Sequence, residues 1–263
     1  MGEKEPEVAY QVAALYALAS LEAARRQQLQ EDILNWRASD SSLCGLVILA
    51  PDGLNATIAS ENDLNRPLEW LAEQLPLSTV KWSRCAQPPF QRWKVVLRRE
   101  TITTGLDEPP RSGSRNTHLS PEQWHHMLQH REVTLLDTRN QYEIRLGRFA
   151  KALDPETEHF RQFFDSDRVQ QLPRDRPLLT YCTGGIRCEK AVPWLLAQGF
   201  SEVYQLEGGI LNYLEHYPEG FFQGDCFVFD ERVALNSRLE PAEDYLRCPQ
   251  CGQPRRIDDP CLH

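Results

Sequence analysis

The stretch PLLTYCTGGIRCEKAVPWLLAQGF, residues 177–200, constrains the fold more than any other part of this 263-residue chain. An apolar run ends at Tyr181, six residues with two adjacent glycines follow, and an apolar helical pattern begins directly after Arg187. A buried strand that passes at once into a helix is typical of a parallel α/β sheet. The junction then lies at the carboxyl edge of the strands, where such proteins bind their ligands.

The segments around this stretch repeat the alternation of strand and helix. Ser120 and Pro121 are typical of a helix start. We predict strands at 134–138, 177–181 and 203–206, and helices near 158–164, 189–200 and 208–218. Because strands separated by helices pair in parallel, the second half is predicted to be a doubly wound parallel α/β sheet.

The first hundred residues predict a different, α+β arrangement. Strand patterns at 8–18, 43–50, 54–60, 79–85 and 90–102 surround helical patterns at 21–39 and 61–76. In the second helix one stripe consists of Leu64, Leu68, Leu71 and Leu75. The order β-α-β-β-α-β is typical of a ferredoxin-like domain.

The segment from 105 to 118 is rich in glycine, proline and serine and lacks any period, so it is the predicted linker. We therefore predict a ferredoxin-like domain at 1–104, a linker at 105–117, a parallel-sheet domain at 118–222 and a cysteine-containing extension at 223–263.

Composition narrows the function classes. The net charge is −9, so a wholly basic nucleic-acid binder is not expected, although a local basic face is compatible with that charge. No apolar run approaches the length of a membrane helix, and the start MGEKEPEV lacks a secretory signal. Eight cysteines in such a chain favour a reducing compartment, so we expect a cytoplasmic protein whose thiols are catalytic, metal-binding or buried.

The residue expected to carry chemistry is Cys182. Gly184 and Gly185 allow a turn whose amides point at the sulfur, and the following helix and Arg187 add positive charge. Each favours the thiolate, so Cys182 is predicted to be a nucleophile with a lowered pKa rather than a plain buried cysteine. The predicted active-site loop consists of Cys182, Thr183, Gly184, Gly185, Ile186 and Arg187.

Residues near this loop admit more than one role. Cys188 either resolves an oxidised Cys182 as a disulfide or packs its helix against the sheet. Asp137 and Arg139 are predicted to form an ion pair that fixes a strand end, and Glu143 is assigned a similar structural role. Gly208 and Gly209 are predicted to permit a tight strand-to-helix turn.

Two further groups of residues suggest binding sites, one for zinc and one for RNA. A structural zinc site is suggested by Cys248, Cys251, Cys261 and His263. In the strand 90–100, alternation places Arg92, Lys94 and Arg98 on one face with Val96, and Trp93, Val95 and Leu97 on the other. The basic face suits RNA phosphates, or it is an ordinary solvated surface. Residues that extend such a patch are Arg84, Arg139, Arg145 and Arg148.

Residues 118–222 resemble a rhodanese domain. The resemblance rests on the Cys-x4-Arg loop after an apolar strand, on LLDTRNQYE at 135–143 and on LEGGI at 206–210. Protein tyrosine phosphatases also hold an anion with cysteine and arginine, but they place five residues between the two. The four residues here fit sulfur or a smaller electrophile, so phosphatase activity is not expected.

A narrower resemblance covers nearly the whole chain. It is carried by GLVILAPDGLNATIA (45–59), FQRWKVVLRRE (90–100), DTRNQYE (137–143), CTGGIRCEKA (182–191), CFVFDERVA (226–234) and CPQCG (248–252). In this combination of motifs the chain resembles the bacterial tRNA uridine 34 hydroxylases. The chain departs from that family at Ala56, where glycine is usual, and it has Lys151 where a rhodanese usually has glycine. It also ends at His263, before the second CxxC pair that the family commonly has, which weakens the case for zinc.

The resemblance implies 5-hydroxylation of the wobble uridine of tRNA, with molecular oxygen as cosubstrate. The expected partner is then tRNA, and neither DNA nor a membrane. No P-loop or dinucleotide fingerprint points to an organic cofactor. The loop alone fits equally a sulfurtransferase that carries sulfur as a Cys182 persulfide. A non-catalytic binding module is disfavoured, because an inactive rhodanese is expected to have lost Cys182.

Overall fold

The computed structural model describes residues 10–110 and 117–259, and the chain forms two compact units, residues 1–102 and 103–263. The second unit contains both the predicted parallel-sheet domain and the described part of the extension. In the described ranges, no helix is both long and apolar enough to cross a membrane.

The first unit contains the predicted ferredoxin-like order with one more strand at its edge. Its elements are β1 (Tyr10–Leu18), α1 (Ala23–Ser39), β2 (Cys44–Ala50), β3 (Gly53–Ser60), α2 (Asn65–Gln74), β4 (Lys81–Cys85) and β5 (Trp93–Leu97). The sheet order is β4-β1-β3-β2-β5, with antiparallel pairs except between β2 and β5, which are parallel.

Apolar stripes of both helices form the core of this unit together with the sheet. In α1 the stripe centres on Leu29 and Ile33, both fully buried. The predicted leucine stripe of the second helix is buried along its whole length, which confirms the helical spacing. The predicted alternation in β5 fails at Leu97, which is 38% exposed, because this edge strand has a neighbour on one side only.

A four-stranded parallel sheet organises the second unit, as the strand and helix alternation predicts. Its strands, in the order β6-β10-β9-β7, are β6 (His118–Leu119), β10 (Val203–Leu206), β9 (Leu178–Tyr181) and β7 (Thr134–Asp137). The helices are α3 (Pro121–His130), α4 (Gln141–Ile144), α5 (Asp167–Gln170), α6 (Cys188–Ala197) and α7 (Gly209–His216). The predicted helix near 158–164 is a 3₁₀ helix, Phe160–Asp165.

Short antiparallel strand pairs make up the described part of the extension, which packs on the rest of the second unit. β11 (Phe222–Gly224) pairs with β8 (Gly147–Phe149), β12 (Cys226–Phe227) with β13 (Ala234–Leu235), and β14 (Tyr245–Arg247) with β15 (Pro254–Arg256). Phe227, Val233 and Ala234 form an apolar cluster with Leu146, so the extension shares a core with residues that precede the active-site loop.

Candidate active site

The loop after β9 wraps backbone amides around the sulfur of Cys182. This cysteine is fully buried, and its Sγ accepts a hydrogen bond from the N–H of Gly185 at 3.1 Å. The backbone amides of Arg187 and Cys188, at the start of the following helix, also favour its negative charge. Gly185 has a φ of 101°, a conformation that favours glycine, whereas Gly184 has no positive φ, so Gly185 is the glycine that lets the chain turn toward the sulfur.

These contacts make Cys182 an acidic thiol despite its burial. Burial alone raises the pKa of Cys182. The hydrogen bond from the Cys188 thiol, the charge of Arg187 and the backbone amides of Arg187 and Cys188 together lower this pKa to about 6. An ordinary cysteine has a pKa of about 8.5. The pKa of about 6 agrees with the predicted nucleophilic role, because at neutral pH the thiolate is the main form.

A titration measures this acidity directly. In the wild type minus Cys182→Ser difference, thiolate absorbance in the far ultraviolet is expected to appear as the pH rises through about 6. Cys188→Ala, which removes one donor, is expected to raise the midpoint. A wild-type midpoint near that of a free thiol, at about 8.5, would contradict the donor arrangement.

The charge beside Cys182 belongs to a buried ion pair between Arg187 and Glu143. The two terminal nitrogens of Arg187 donate to the Glu143 carboxylate at 2.6 and 2.8 Å, and both side chains are buried. Thr183 donates its hydroxyl to the same carboxylate at 3.4 Å. Glu143 thus anchors two loop residues, a role that the sequence analysis missed. The signal in the sequence was the position of Glu143 three residues after Asn140, the spacing of a helix capping box, in which Glu143 accepts the N–H of Asn140.

Helix α7 holds the loop from the other side. The N–H of Ile210 donates to the carbonyl of Cys182 at 2.9 Å, and the N–H of Leu211 to that of Thr183 at 3.1 Å. Gly208 and Gly209 have φ values of 71° and 69°, which confirms the predicted tight turn. A Cβ atom on Gly209 would lie 2.5 Å from the Cys182 oxygen, so only glycine allows this approach.

Gly209→Ala is therefore expected to lower the free energy of unfolding by about 2–5 kcal/mol, from backbone strain and steric overlap together. It is also expected to raise the pKa of Cys182 because the loop must move. Gly199→Ala is the matched control, since its φ of 86° is equally strained but its nearest neighbour is the end of the Arg174 side chain rather than backbone. Urea denaturation measures the free energy of unfolding of both variants. Equal losses in the two would refute the close approach of Gly209 to the Cys182 carbonyl.

The second thiol of the loop is in contact with the first. Cys188 is fully buried, donates to Cys182, and lies 3.6 Å from the Thr138 hydroxyl. Burial and the neighbouring Cys182 raise the pKa of Cys188 well above its ordinary value. Cys188 therefore packs in the core as one alternative predicts, and its sulfur is also placed against Cys182 as the other requires.

Asp137 and Arg139 form the predicted ion pair at the end of β7. Arg139 is fully buried, donates to both carboxylate oxygens of Asp137 at 3.0 and 2.7 Å, and also donates to the Gly147 carbonyl. The assignment of Arg139 to an RNA-binding patch is therefore wrong, because its charge is neutralised inside the fold. The other arginines of that patch, Arg84, Arg145 and Arg148, are exposed.

The two ligand predictions outside the loop have a defined structural setting. Arg92, Lys94 and Arg98 are exposed, as residues that contact RNA phosphates must be. Their binding to RNA stays a prediction. Cys248 and Cys251 flank the turn between β14 and β15, the first buried and the second exposed. Cys261 and His263 lie outside the described residues, and within those residues no three metal-ligating side chains come together.

The parallel sheet and the Cys-x4-Arg loop define a rhodanese-like domain, and the rhodanese-like domain family matches residues 120–216. Residues 10–101 match the UPF0176 acylphosphatase-like domain, which agrees with the predicted N-terminal fold.

Relatives match almost the full length of the chain. It is 38% identical over 258 residues to the tRNA uridine(34) hydroxylase of Bdellovibrio bacteriovorus, covering 96% of this chain and 73% of that protein. It is 40% identical over 261 residues to the enzyme of that name in Synechocystis, covering 96% and 91% of the two chains. The chain therefore belongs to the tRNA uridine(34) hydroxylase family.

Proposed function

We propose that this protein hydroxylates C5 of the wobble uridine of tRNA, with Cys182 as the nucleophile and molecular oxygen as the oxygen source. Family membership over almost the whole chain supports the substrate. The single observation that carries the chemistry is the buried Cys182 sulfur, which accepts the N–H of Gly185 and is kept acidic by the Cys188 thiol and the charge of Arg187. Since tRNA is the substrate, we place the enzyme in the cytoplasm, with exposed Arg92, Lys94 and Arg98 as candidate phosphate contacts.

The reaction starts with covalent activation of uracil. The Cys182 thiolate forms a bond to C6, and the C5–C6 π electrons move onto C5 and the C4 carbonyl as an enolate. The enolate carbon bonds one atom of dioxygen and, with one proton, becomes a C5 hydroperoxide. After the O–O bond is cleaved, loss of the C5 proton and departure of Cys182 from C6 restore the double bond.

Cleavage of the O–O bond needs two electrons, and Cys188 is the group placed to supply them. Its sulfur takes the distal OH as a sulfenic acid, while its proton goes to the oxygen that remains on C5. The freed Cys182 thiol then condenses with this sulfenic acid to give a disulfide and water. An external thiol reductant regenerates both cysteines, so each turnover consumes one dioxygen and two thiols and yields the hydroxylated base and one water.

The alternative is a sulfurtransferase in which Cys182 carries a persulfide. The acidic thiol fits this chemistry equally well, but the match of the N-terminal domain and of the extension to tRNA uridine(34) hydroxylases favours hydroxylation.

Deletion of the gene in its host, followed by mass spectrometry of tRNA nucleosides, separates the two functions. We expect loss of 5-hydroxyuridine-type nucleosides, with rescue by the wild type but not by Cys182→Ala. Unchanged nucleosides, together with rapid thiosulfate-to-cyanide transfer by the purified protein, would support the sulfurtransferase instead.

A further inference from the structure

Phe229 is a solvent-exposed aromatic side chain beside the active-site loop. It is 56% exposed, and the other strongly exposed large apolar side chains among the described residues are aliphatic. Its ring lies over the guanidinium of Arg187, whose central carbon is 5.7 Å from the ring centroid. The charge of the same Arg187 lowers the pKa of Cys182, so one residue links the exposed ring to the nucleophile.

The segment that carries Phe229 is firmly anchored. The buried Phe227 ring meets the Phe229 ring edge-on at 4.9 Å between centroids. The following residue, Asp230, is buried and ion-paired with Arg232 at 2.6 Å, and the N–H of Val228 donates to the Val233 carbonyl across the turn. A ring fixed in this way is ready to bind, because little conformational freedom remains to be lost.

A positive charge lies against the backbone of the segment that carries the exposed ring. Arg247 is exposed, and one of its terminal nitrogens lies 3.4 Å from the carbonyl of Asp230, the residue after Phe229. A flat apolar surface beside a guanidinium complements a nucleotide, since a base stacks on an aromatic ring while its phosphate meets the arginine. This complementarity favours an unpaired nucleotide over an apolar protein surface as the occupant.

From these contacts we infer that Phe229 and Arg247 form a nucleotide-binding platform that receives an unpaired base of the tRNA anticodon loop beside Cys182. The inference rests on the proposed function and deepens it, because it assigns to the extension a direct contact with substrate. Phe229 holds the base by stacking, and Arg247 pairs with the adjoining phosphate.

Kinetics with an anticodon stem-loop RNA test the platform. Phe229→Ala is expected to raise KM about 10- to 100-fold, the usual loss for one base-stacking contact, whereas Phe229→Trp keeps KM within a few-fold of the wild type. Phe229→Leu, which retains apolar area but has no π face, is expected to behave like alanine. Arg247→Ala is expected to weaken binding and to reduce its dependence on salt.

Ile257→Ala and Arg238→Ala are the matched controls, because both side chains are exposed on the same unit and belong to neither the Cys182 loop nor the segment that carries Phe229. The far-ultraviolet thiolate titration checks that every variant keeps the acidic Cys182. Unchanged KM in Phe229→Ala, or full activity of Phe229→Leu, would overturn the platform while the hydroxylation itself stands. A wild-type protein that binds the stem-loop but forms no hydroxylated base would instead reject the proposed function.

Discussion

Replacing Cys182 by serine is expected to lower the rate of uridine hydroxylation by at least about 10³-fold, the scale of loss seen when a catalytic nucleophile is removed. A serine hydroxyl has the same hydrogen-bonding partners, but it does not ionise near pH 6 and cannot supply the thiolate that adds to C6. The measurement is the rate of 5-hydroxyuridine formation in purified, undermodified tRNA under air with excess thiol reductant.

Cys85→Ser and Cys188→Ser sharpen this test. Cys85 is buried in the first unit and is expected to tolerate the change with the rate nearly unaltered. Cys188→Ser is expected to lose multiple turnovers while still forming a covalent adduct between Cys182 and tRNA, because only the reduction of the hydroperoxide is blocked. Near-normal hydroxylation by Cys182→Ser would show that this sulfur does not attack the base.

Replacing Glu143 by alanine is expected to lower the free energy of unfolding by about 3–5 kcal/mol, because it leaves the buried Arg187 guanidinium without its partner. The change also removes an acceptor for Thr183, so the loop around Cys182 loses its anchor to α4. Urea denaturation of the wild type and of Glu143→Ala measures the effect.

Two comparisons distinguish a buried pair from a simple surface contact. Glu143→Leu combined with Arg187→Met is expected to recover much of the stability, since no charge is then left in the core. Glu132→Ala, which breaks an exposed contact with Arg176, is expected to change stability little. A small effect of Glu143→Ala alone would contradict the buried pairing.

Local sequence was sufficient to predict the parts of the fold that depend on neighbouring residues. The strand, the glycine turn and the helix from 177 to 200 are contiguous, so the amides around Cys182 could be anticipated from the order of residues. The leucine spacing of α2 was equally informative, because one helical face determines burial.

Contacts between distant residues escaped prediction. Arg187 and Glu143 are 44 positions apart, and only the packing of α4 against the loop brings them together. The sequence does not predict the strands of the extension, because each strand is only two or three residues long and too short to show a period. Lys151 stands where a rhodanese usually has glycine, and its φ is 64°. The chain therefore keeps at this position a left-handed backbone conformation that glycine adopts easily.

The most direct measurement of the central claim is the origin of the oxygen on the base. Purified enzyme is supplied with undermodified tRNA and a thiol reductant under dioxygen labelled with heavy oxygen, and the nucleosides are analysed by mass spectrometry. The account predicts one heavy atom in each 5-hydroxyuridine formed and none with Cys182→Ser. Product that carries only the oxygen of water would contradict the reaction of an activated uracil with dioxygen.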